Sequence, residues 1–140
     1  MDFIQSISTC MRKYVTFSGR ATRSEFWWFF LFTILVNLAA TSQASSFVPI
    51  LLDGQDITEN ESSYFLNNFF FLYLSTITSL ILLLPSLAVA VRRLHDVGRS
   101  GWWILIAFTV IGIIPLLIWY VTDTKDEENV YGQNPKTEDN

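Results

Sequence analysis

The sequence predicts an all-α fold, an integral membrane helical bundle with three transmembrane helices preceded by an amphipathic interfacial helix. Three stretches, residues 26–52, 62–91 and 100–122, contain no Asp, Glu, Lys or Arg, and they are 27, 30 and 23 residues long. About 20 apolar residues suffice to cross a bilayer. A soluble chain of 140 residues would spread its charges over its surface. Their exclusion from three blocks therefore indicates that these blocks lie in lipid.

The composition agrees with this class and excludes several others. The chain is 51% hydrophobic and 16% charged, against about 25% charged for a typical soluble chain. A single cysteine, Cys10, and a single histidine, His95, rule out an intrachain disulfide and are too few for a structural zinc site. We therefore expect no metal and no cofactor. The acidic balance and the lack of a basic soluble patch also argue against a nucleic-acid partner.

Residues 1–17 are predicted to form the interfacial helix. Their apolar residues recur at the spacing of one helix face and have basic residues beside them, which suits a helix lying in the interface plane; they are Phe3, Ile4, Ile7, Met11, Tyr14 and Val15. A short helix packed on soluble protein is the alternative. A cleaved signal peptide ending near Ser42-Gln43-Ala44 is a further one, although a charged leader of about 25 residues is too long for its n-region.

The membrane domain is predicted to cover residues 18–124, with spans at about 25–45, 64–91 and 102–121. Thr22 and Glu25 match a capping box at the start of the first span. Gly98 and Ser100 are placed to end the second span and to cap the third. The second span is longer than the hydrocarbon core, and tilt or a kink at Pro85 is expected to absorb the excess length. Residues 125–140 are expected to be an acidic, irregular tail.

The distribution of basic residues predicts the orientation. The N-terminal segment holds four Lys and Arg residues, the turn 92–99 holds three, and the loop 53–61 holds none. Because cytoplasmic loops carry the excess of Lys and Arg, we expect a multi-pass protein of the bacterial cytoplasmic membrane with a cytoplasmic N-terminus. With three spans the C-terminus would lie outside. A re-entrant stretch at 46–52 would change this number of spans.

Two predicted cytoplasmic junctions share one pattern: a glycine, an arginine, a hydroxyl cap and a tryptophan pair at a helix N-terminus. Helix N-termini and Arg side chains both bind anions. The pattern therefore predicts a face for anionic lipid or a protein partner, formed by Arg20, Arg23, Arg92, Arg93, Arg99, Trp27 and Trp102. The alternative is that these residues only fix the topology, as basic and aromatic residues do at membrane interfaces.

Three further residues of the junctions are predicted to be structural. We expect Glu25 or Asp96 to pair with an arginine from the other junction and so to lock the spans together. His95 stands beside Asp96 in the turn and could form a proton relay with it, but a local hydrogen bond is the commoner role for such a pair. We therefore expect no catalytic residues and no enzyme.

Three segments together resemble a known family. Residues 17–27 read FSGRATRSEFW, residues 92–103 read RRLHDVGRSGWW and residues 131–135 read YGQNP. They are similar to the YhaH/YhaI-like inner-membrane proteins, the domain-of-unknown-function family 805, over about residues 10–136. The resemblance implies a small bacterial cytoplasmic-membrane protein with several spans and no established activity. It draws attention to Gly19, Arg20, Arg23, Glu25, Trp27, Arg92, Arg93, His95, Asp96, Gly98, Arg99, Ser100 and Trp102.

The sequence leaves three functional hypotheses. The first is a non-enzymatic membrane component that binds anionic lipid, a protein partner or a second copy of itself through the arginine–tryptophan face. The second is a transporter or channel subunit, against which the charge-free spans argue. The third is an enzyme acting on lipid headgroups, for which His95 and Asp96 are the candidate chemistry.

Overall fold

The computed structural model describes residues 1–42, 59–124 and 127–136. Its elements, in chain order, are α1 (Phe3–Arg12), α2 (Arg23–Ser42), α3 (Glu59–Asp96), a 3-10 helix (Gly101–Phe108), α4 (Ile113–Val121), and strands β1 (Glu128–Asn129) and β2 (Gly132–Gln133). The predicted stretch 46–52 lies outside the described residues. The chain divides into two compact units, one formed by residues 1–31 and 84–140 and the other by residues 32–83.

Among the described residues, two helices are long and apolar enough to cross a membrane. They are Arg23–Thr41 in α2 and Phe69–Asp96 in α3, which correspond to the first two predicted spans. At 1.5 Å per residue the 38 residues of α3 extend about 57 Å, longer than the hydrocarbon core of about 30 Å. Pro85 lies inside α3 without ending it.

In the unit 32–83, polar side chains are mostly satisfied within their own helix. The hydroxyls of Ser75 and Thr76 both donate to the carbonyl of Leu72. In this unit the Ser79 hydroxyl on α3 donates to Asn37 Oδ1 on α2 at 2.5 Å. Such a bond holds neighbouring helices together in an apolar medium.

The predicted helix ends are present in the unit 1–31 and 84–140. The Glu25 amide donates to Thr22 Oγ1 at 3.1 Å, so Thr22 is the N-cap of α2. At the end of α3, Gly98 has φ +71°, and the amides of Gly98 and Arg99 donate to the carbonyls of His95 and Leu94. These two hydrogen bonds form the pattern of a Schellman cap, in which the residue at this position adopts the left-handed backbone conformation.

The third predicted span is wrong as a continuous helix. Residues 101–121 form the 3-10 helix, a turn at Thr109–Gly112, and α4, and the Trp103 and Trp119 rings lie 5.5 Å apart. In a straight α-helix residues 16 positions apart would be separated by about 24 Å. The chain therefore folds back on itself as a helical hairpin, which we call the apolar hairpin. A Cβ on Gly112 would lie 2.1 Å from the Ile106 carbonyl oxygen, so this turn depends on glycine.

The tail, which the sequence predicts to be irregular, contains one short hairpin. Strands β1 and β2 pair antiparallel, with Glu128 opposite Gln133. The Arg20 Nη1 donates to the Gly132 carbonyl, and the Asn129 amide group donates to the His95 carbonyl. The tail thus lies at the same end of this unit as the two basic junctions. The location of the C-terminus outside the cytoplasm stays a prediction, which depends on residues 102–121 crossing as a third span.

Helix α1 ends at Arg12 and buries an unexpected face. Its buried residues are Ser6, Thr9 and Cys10, whereas Ile4 and Met11 are exposed. The small polar side chains of α1 therefore pack on the rest of the unit. The exposed apolar residues are what an interfacial helix presents to lipid.

Candidate functional site

Asp96, at the end of α3, is the centre of a buried ionic cluster. Arg20 Nε lies 2.9 Å from Asp96 Oδ1, and these two side chains are 1% and 0% exposed. Arg93 Nη1 and the Thr124 hydroxyl both donate to Asp96 Oδ2. A buried charge is tolerated only when it is paired and hydrogen-bonded, and Asp96 meets both conditions by joining residues from three separate segments.

A second buried pair joins α2 to α3. Arg92 Nη1 lies 2.6 Å from Glu25 Oε1, with both side chains at most 2% exposed. The Cys10 thiol donates to the same oxygen over 3.7 Å. Arg92 Nε and Nη2 are buried and have no hydrogen-bond partner among the described residues. The pair is therefore less completely satisfied than the cluster around Asp96.

Cys10 brings α1 onto this second pair. Burial raises the pKa of its thiol to about 12, and the negative charge of Glu25 adds to this effect. Because the thiolate is the reactive form of cysteine, burial and the raised pKa both disfavour reaction of Cys10 at neutral pH. The sequence does not indicate the contact of Cys10 with Glu25.

Arg93 closes the end of the apolar hairpin. Its guanidinium is buried and donates to the carbonyls of Trp119, Tyr120 and Thr122. The last four carbonyls of an α-helix have no partner within the helix, and a cation at that end also complements the helix dipole. Arg93 is therefore both a partner of Asp96 and the cap of α4.

An exposed group of charges lies beside the buried ones. Arg23 donates to the Val121 carbonyl and lies 3.0 Å from Asp123, while Lys136 lies 2.6 Å from the same carboxylate. The hydrogen bond from Lys136 is the main cause that lowers the pKa of Asp123. Arg23, Trp27 and Lys136 line a cavity of about 530 Å³.

His95 does not act as a partner of Asp96. Its Nδ1 lies 3.2 Å from the Gly19 carbonyl, and its ring is stacked on Tyr131 with the centroids 3.9 Å apart. The oxygens of Asp96 are bonded to Arg20, Arg93 and Thr124 instead. The proposed relay is therefore not formed, and His95 ties the first junction to the tail.

Arg99 is placed differently from the buried arginines. Its side chain is exposed, and its guanidinium carbon lies 5.1 Å from the centroid of the Trp119 ring. Trp102, three residues along, is 79% exposed. Trp102 and His95 are both among the residues that line a groove of about 400 Å³.

The structure thus divides the predicted arginine–tryptophan face. Arg20, Arg92 and Arg93 are buried and bound to carboxylates, so the structure gives these three residues a structural pairing, and their part in an anion-binding face stays a prediction. Arg23 with Trp27 and Arg99 with Trp102 remain at the surface. Sequence reasoning missed three partners: Thr124, just before the tail, and Asn129 and Tyr131 within it, although Tyr131 belongs to the third segment of the family resemblance.

The two helices that are long and apolar enough to cross a membrane, with the ionic contacts collected in the unit 1–31 and 84–140, define the class of the protein: it is a small helical membrane protein. The chain belongs to the family described as protein of unknown function DUF805, whose model matches residues 14–133. It is 36% identical to the inner membrane protein YhaI of Escherichia coli K12 over 127 residues, 90% of this chain and 91% of the relative. It is also 36% identical to the inner membrane protein YhaH of the same strain over 132 residues, 91% of this chain and 93% of the relative. No solved structure matches.

Proposed function

We propose that this chain is a non-enzymatic component of the bacterial cytoplasmic membrane that binds anionic lipid headgroups at its cytoplasmic face through Arg99 and Trp102. Helices α2 and α3 are its two spans. The buried ionic cluster holds the ends of these helices in place and is not itself the binding surface.

The observation that carries this proposal is the exposed position of Arg99 over Trp119. Within residues 1–42, 59–124 and 127–136 Arg99 makes no ion pair, whereas Arg20, Arg92 and Arg93 each bind a carboxylate. An exposed guanidinium beside interfacial tryptophans is suited to a lipid phosphate, because its fork of donors matches phosphate oxygens. Tryptophan rings favour the same headgroup level.

The placement in the membrane follows from the positive-inside rule. All nine Lys and Arg residues lie outside residues 24–91, which contain the two spans and the loop between them. The tail packs beside the basic junctions, so its Lys136 adds to the same end. We therefore assign this end, with the N-terminus and the tail, to the cytoplasm.

The test is the amount of anionic lipid that stays bound to purified protein. Wild type and Arg99→Gln would be reconstituted in nanodiscs of phosphatidylglycerol and phosphatidylcholine and then transferred to detergent. Native mass spectrometry would count the retained phosphatidylglycerol. We expect Arg99→Gln to lose about tenfold in affinity, which corresponds to the 1.4 kcal/mol typical of one charge-assisted contact.

The matched control is Lys13→Gln, which removes an exposed cation from the segment after α1. Its retention of phosphatidylglycerol should equal that of wild type. Equal losses in both variants would indicate a general effect of charge, and full retention by Arg99→Gln would reject the headgroup site. Loss of a co-purifying protein with lipid retention unchanged would favour a protein partner instead.

A further inference from the structure

We infer that the apolar hairpin, residues 101–121, enters and leaves the membrane at the same face and that its tip lies among the acyl chains of one leaflet. The chain would then cross the membrane twice, with the third charge-free stretch inserted as a re-entrant element. This inference rests on the proposed membrane placement of α2 and α3, and it adds a lipid-contacting surface that the headgroup site does not include.

The two ends of the apolar hairpin lie close together, beside the buried ionic cluster around Asp96. Arg99, just before the 3-10 helix, contacts Trp119, near the end of α4. A Cβ on Gly101 would lie 2.6 Å from Val91 Cγ1, so the start of the hairpin packs closely on α3. The charged residues that bound the stretch, Arg99 and Asp123, therefore lie at one level and need not be on opposite sides of a membrane.

The dimensions suit a single leaflet. A 3-10 helix of eight residues extends about 16 Å, and an α-helix of nine residues extends about 14 Å. Each arm therefore reaches about half of the 30 Å hydrocarbon core. Neither arm alone is long enough to cross it.

The tip, residues 108–112, exposes apolar side chains and forms hydrogen bonds within its own backbone. Phe108, Val110 and Ile111 are 89%, 85% and 81% exposed. The amides of Thr109 and Gly112 donate to the carbonyls of Ile106 and Thr109. Irregular backbone at membrane depth must find its hydrogen bonds within the protein, and these two amides do so. Three large apolar side chains on a turn without charge fit acyl chains as their surroundings.

The C-terminal end of α4 is held by two arginines. Arg93 binds the carbonyls of Trp119, Tyr120 and the following Thr122, and Arg23 binds that of Val121. These contacts favour an α4 that ends at the face where the apolar hairpin begins, because its unpaired carbonyls meet arginine donors there. A third span would carry the same carbonyls to the other side and leave Arg93 without them.

The experiment is cysteine labelling in spheroplasts with a membrane-impermeant maleimide, on a Cys10→Ser background. Single cysteines would be placed at Lys13, after α1, at Val130, in the turn between β1 and β2, and at Glu59, the first residue of α3. We expect Glu59→Cys to be labelled in intact spheroplasts, and Lys13→Cys and Val130→Cys to be labelled only after permeabilisation.

The outcomes separate the two proposals. Labelling of Val130→Cys together with Glu59→Cys, but not Lys13→Cys, would overturn the re-entrant hairpin and leave the headgroup site to be tested by itself. Lys13→Cys and Val130→Cys labelled from outside, with Glu59→Cys inside, would support the hairpin and overturn the cytoplasmic assignment. Labelling of Lys13→Cys and Glu59→Cys from the same side would overturn both the re-entrant hairpin and the cytoplasmic assignment.

A second measurement tests the depth of the tip. A nitroxide on Val110→Cys in liposomes should be relaxed more by oxygen than by a water-soluble nickel complex, and the same label on Val130→Cys should show the reverse. Stronger relaxation of the Val110 label by the nickel complex would place the tip in water and overturn the insertion.

Discussion

Asp96 and Asp123 each bind two basic side chains. Asp96 lies in the interior of the unit formed by residues 1–31 and 84–140, and Asp123 lies at its surface. Asp96 binds Arg20 and Arg93, and all three side chains are at most 1% exposed. Asp123 binds Arg23 and Lys136, and these side chains are 43–45% exposed. Each carboxylate binds two basic side chains, so the main difference between the two groups is their access to water.

That difference decides what each group does for the protein. Exposed pairs gain little, because water and salt screen them and their side chains lose mobility. A buried pair contributes little net energy relative to an apolar core, but removing one partner leaves a charge without compensation. We therefore expect Asp96 to be indispensable to the folded state and Asp123 to be replaceable, although both appear equally connected.

The largest effect is expected for Asp96→Asn. The amide keeps the shape of the carboxylate but leaves the charges of Arg20 and Arg93 uncompensated, which costs about 3–5 kcal/mol. Thermal unfolding in mild detergent should show a much lower Tm than wild type. A Tm within a degree of wild type would contradict the central role of Asp96.

Glu25→Gln is expected to cost somewhat less, about 3 kcal/mol, because Arg92 is already incompletely bonded. The double variant Glu25→Gln/Arg92→Met should recover part of this loss, since it removes both charges of the pair. Iodoacetamide labelling of Cys10 provides a second measurement, because Cys10 contacts Glu25. It should be slow in wild type at pH 8, where the raised pKa keeps the thiol protonated, and faster in Glu25→Gln.

The same contacts show how far the sequence could predict this end of the molecule. The caps at Thr22 and Gly98 follow from local patterns, because their bonds join residues at most five positions apart. The pairing of Glu25 with an arginine of the other junction follows from the need to compensate a charge at a membrane boundary. The choice of Arg92 as that partner, 67 residues away, depends on how the helices pack and has no sequence signal.

The apolar hairpin shows why the third element could not be predicted. Residues 100–122 meet the length and composition of a span, and these criteria do not distinguish one crossing helix from two short arms. The turn depends on the close approach of Gly112 to the Ile106 carbonyl, and the end of α4 depends on Arg93, a residue 26–29 positions earlier. Both are tertiary contacts.

Gly98→Ala tests whether the backbone conformation of the turn after Asp96 contributes as much to stability as the charge of Asp96. A left-handed φ of +71° at this position costs an alanine about 1–2 kcal/mol. No atom lies within 4 Å of the position a Cβ would take, so the loss should come from the backbone alone. We expect a moderate fall in Tm, with the slow labelling of Cys10 unchanged. A fall as large as that of Asp96→Asn would mean that the cap positions the whole cluster.

The smallest effect is expected for Asp123→Asn. Lys136 lowers the pKa of Asp123, so the pairing stabilises the folded state above the usual carboxylate pKa and is lost as the pH falls through the lowered value. Because this carboxylate is exposed, the contribution should be too small to detect at pH 7 and should decrease further when the salt concentration rises. The measurement is the Tm of wild type and Asp123→Asn at low and high salt. A loss near that of Asp96→Asn would show that connectivity, and not burial, sets the contribution of a carboxylate in this protein.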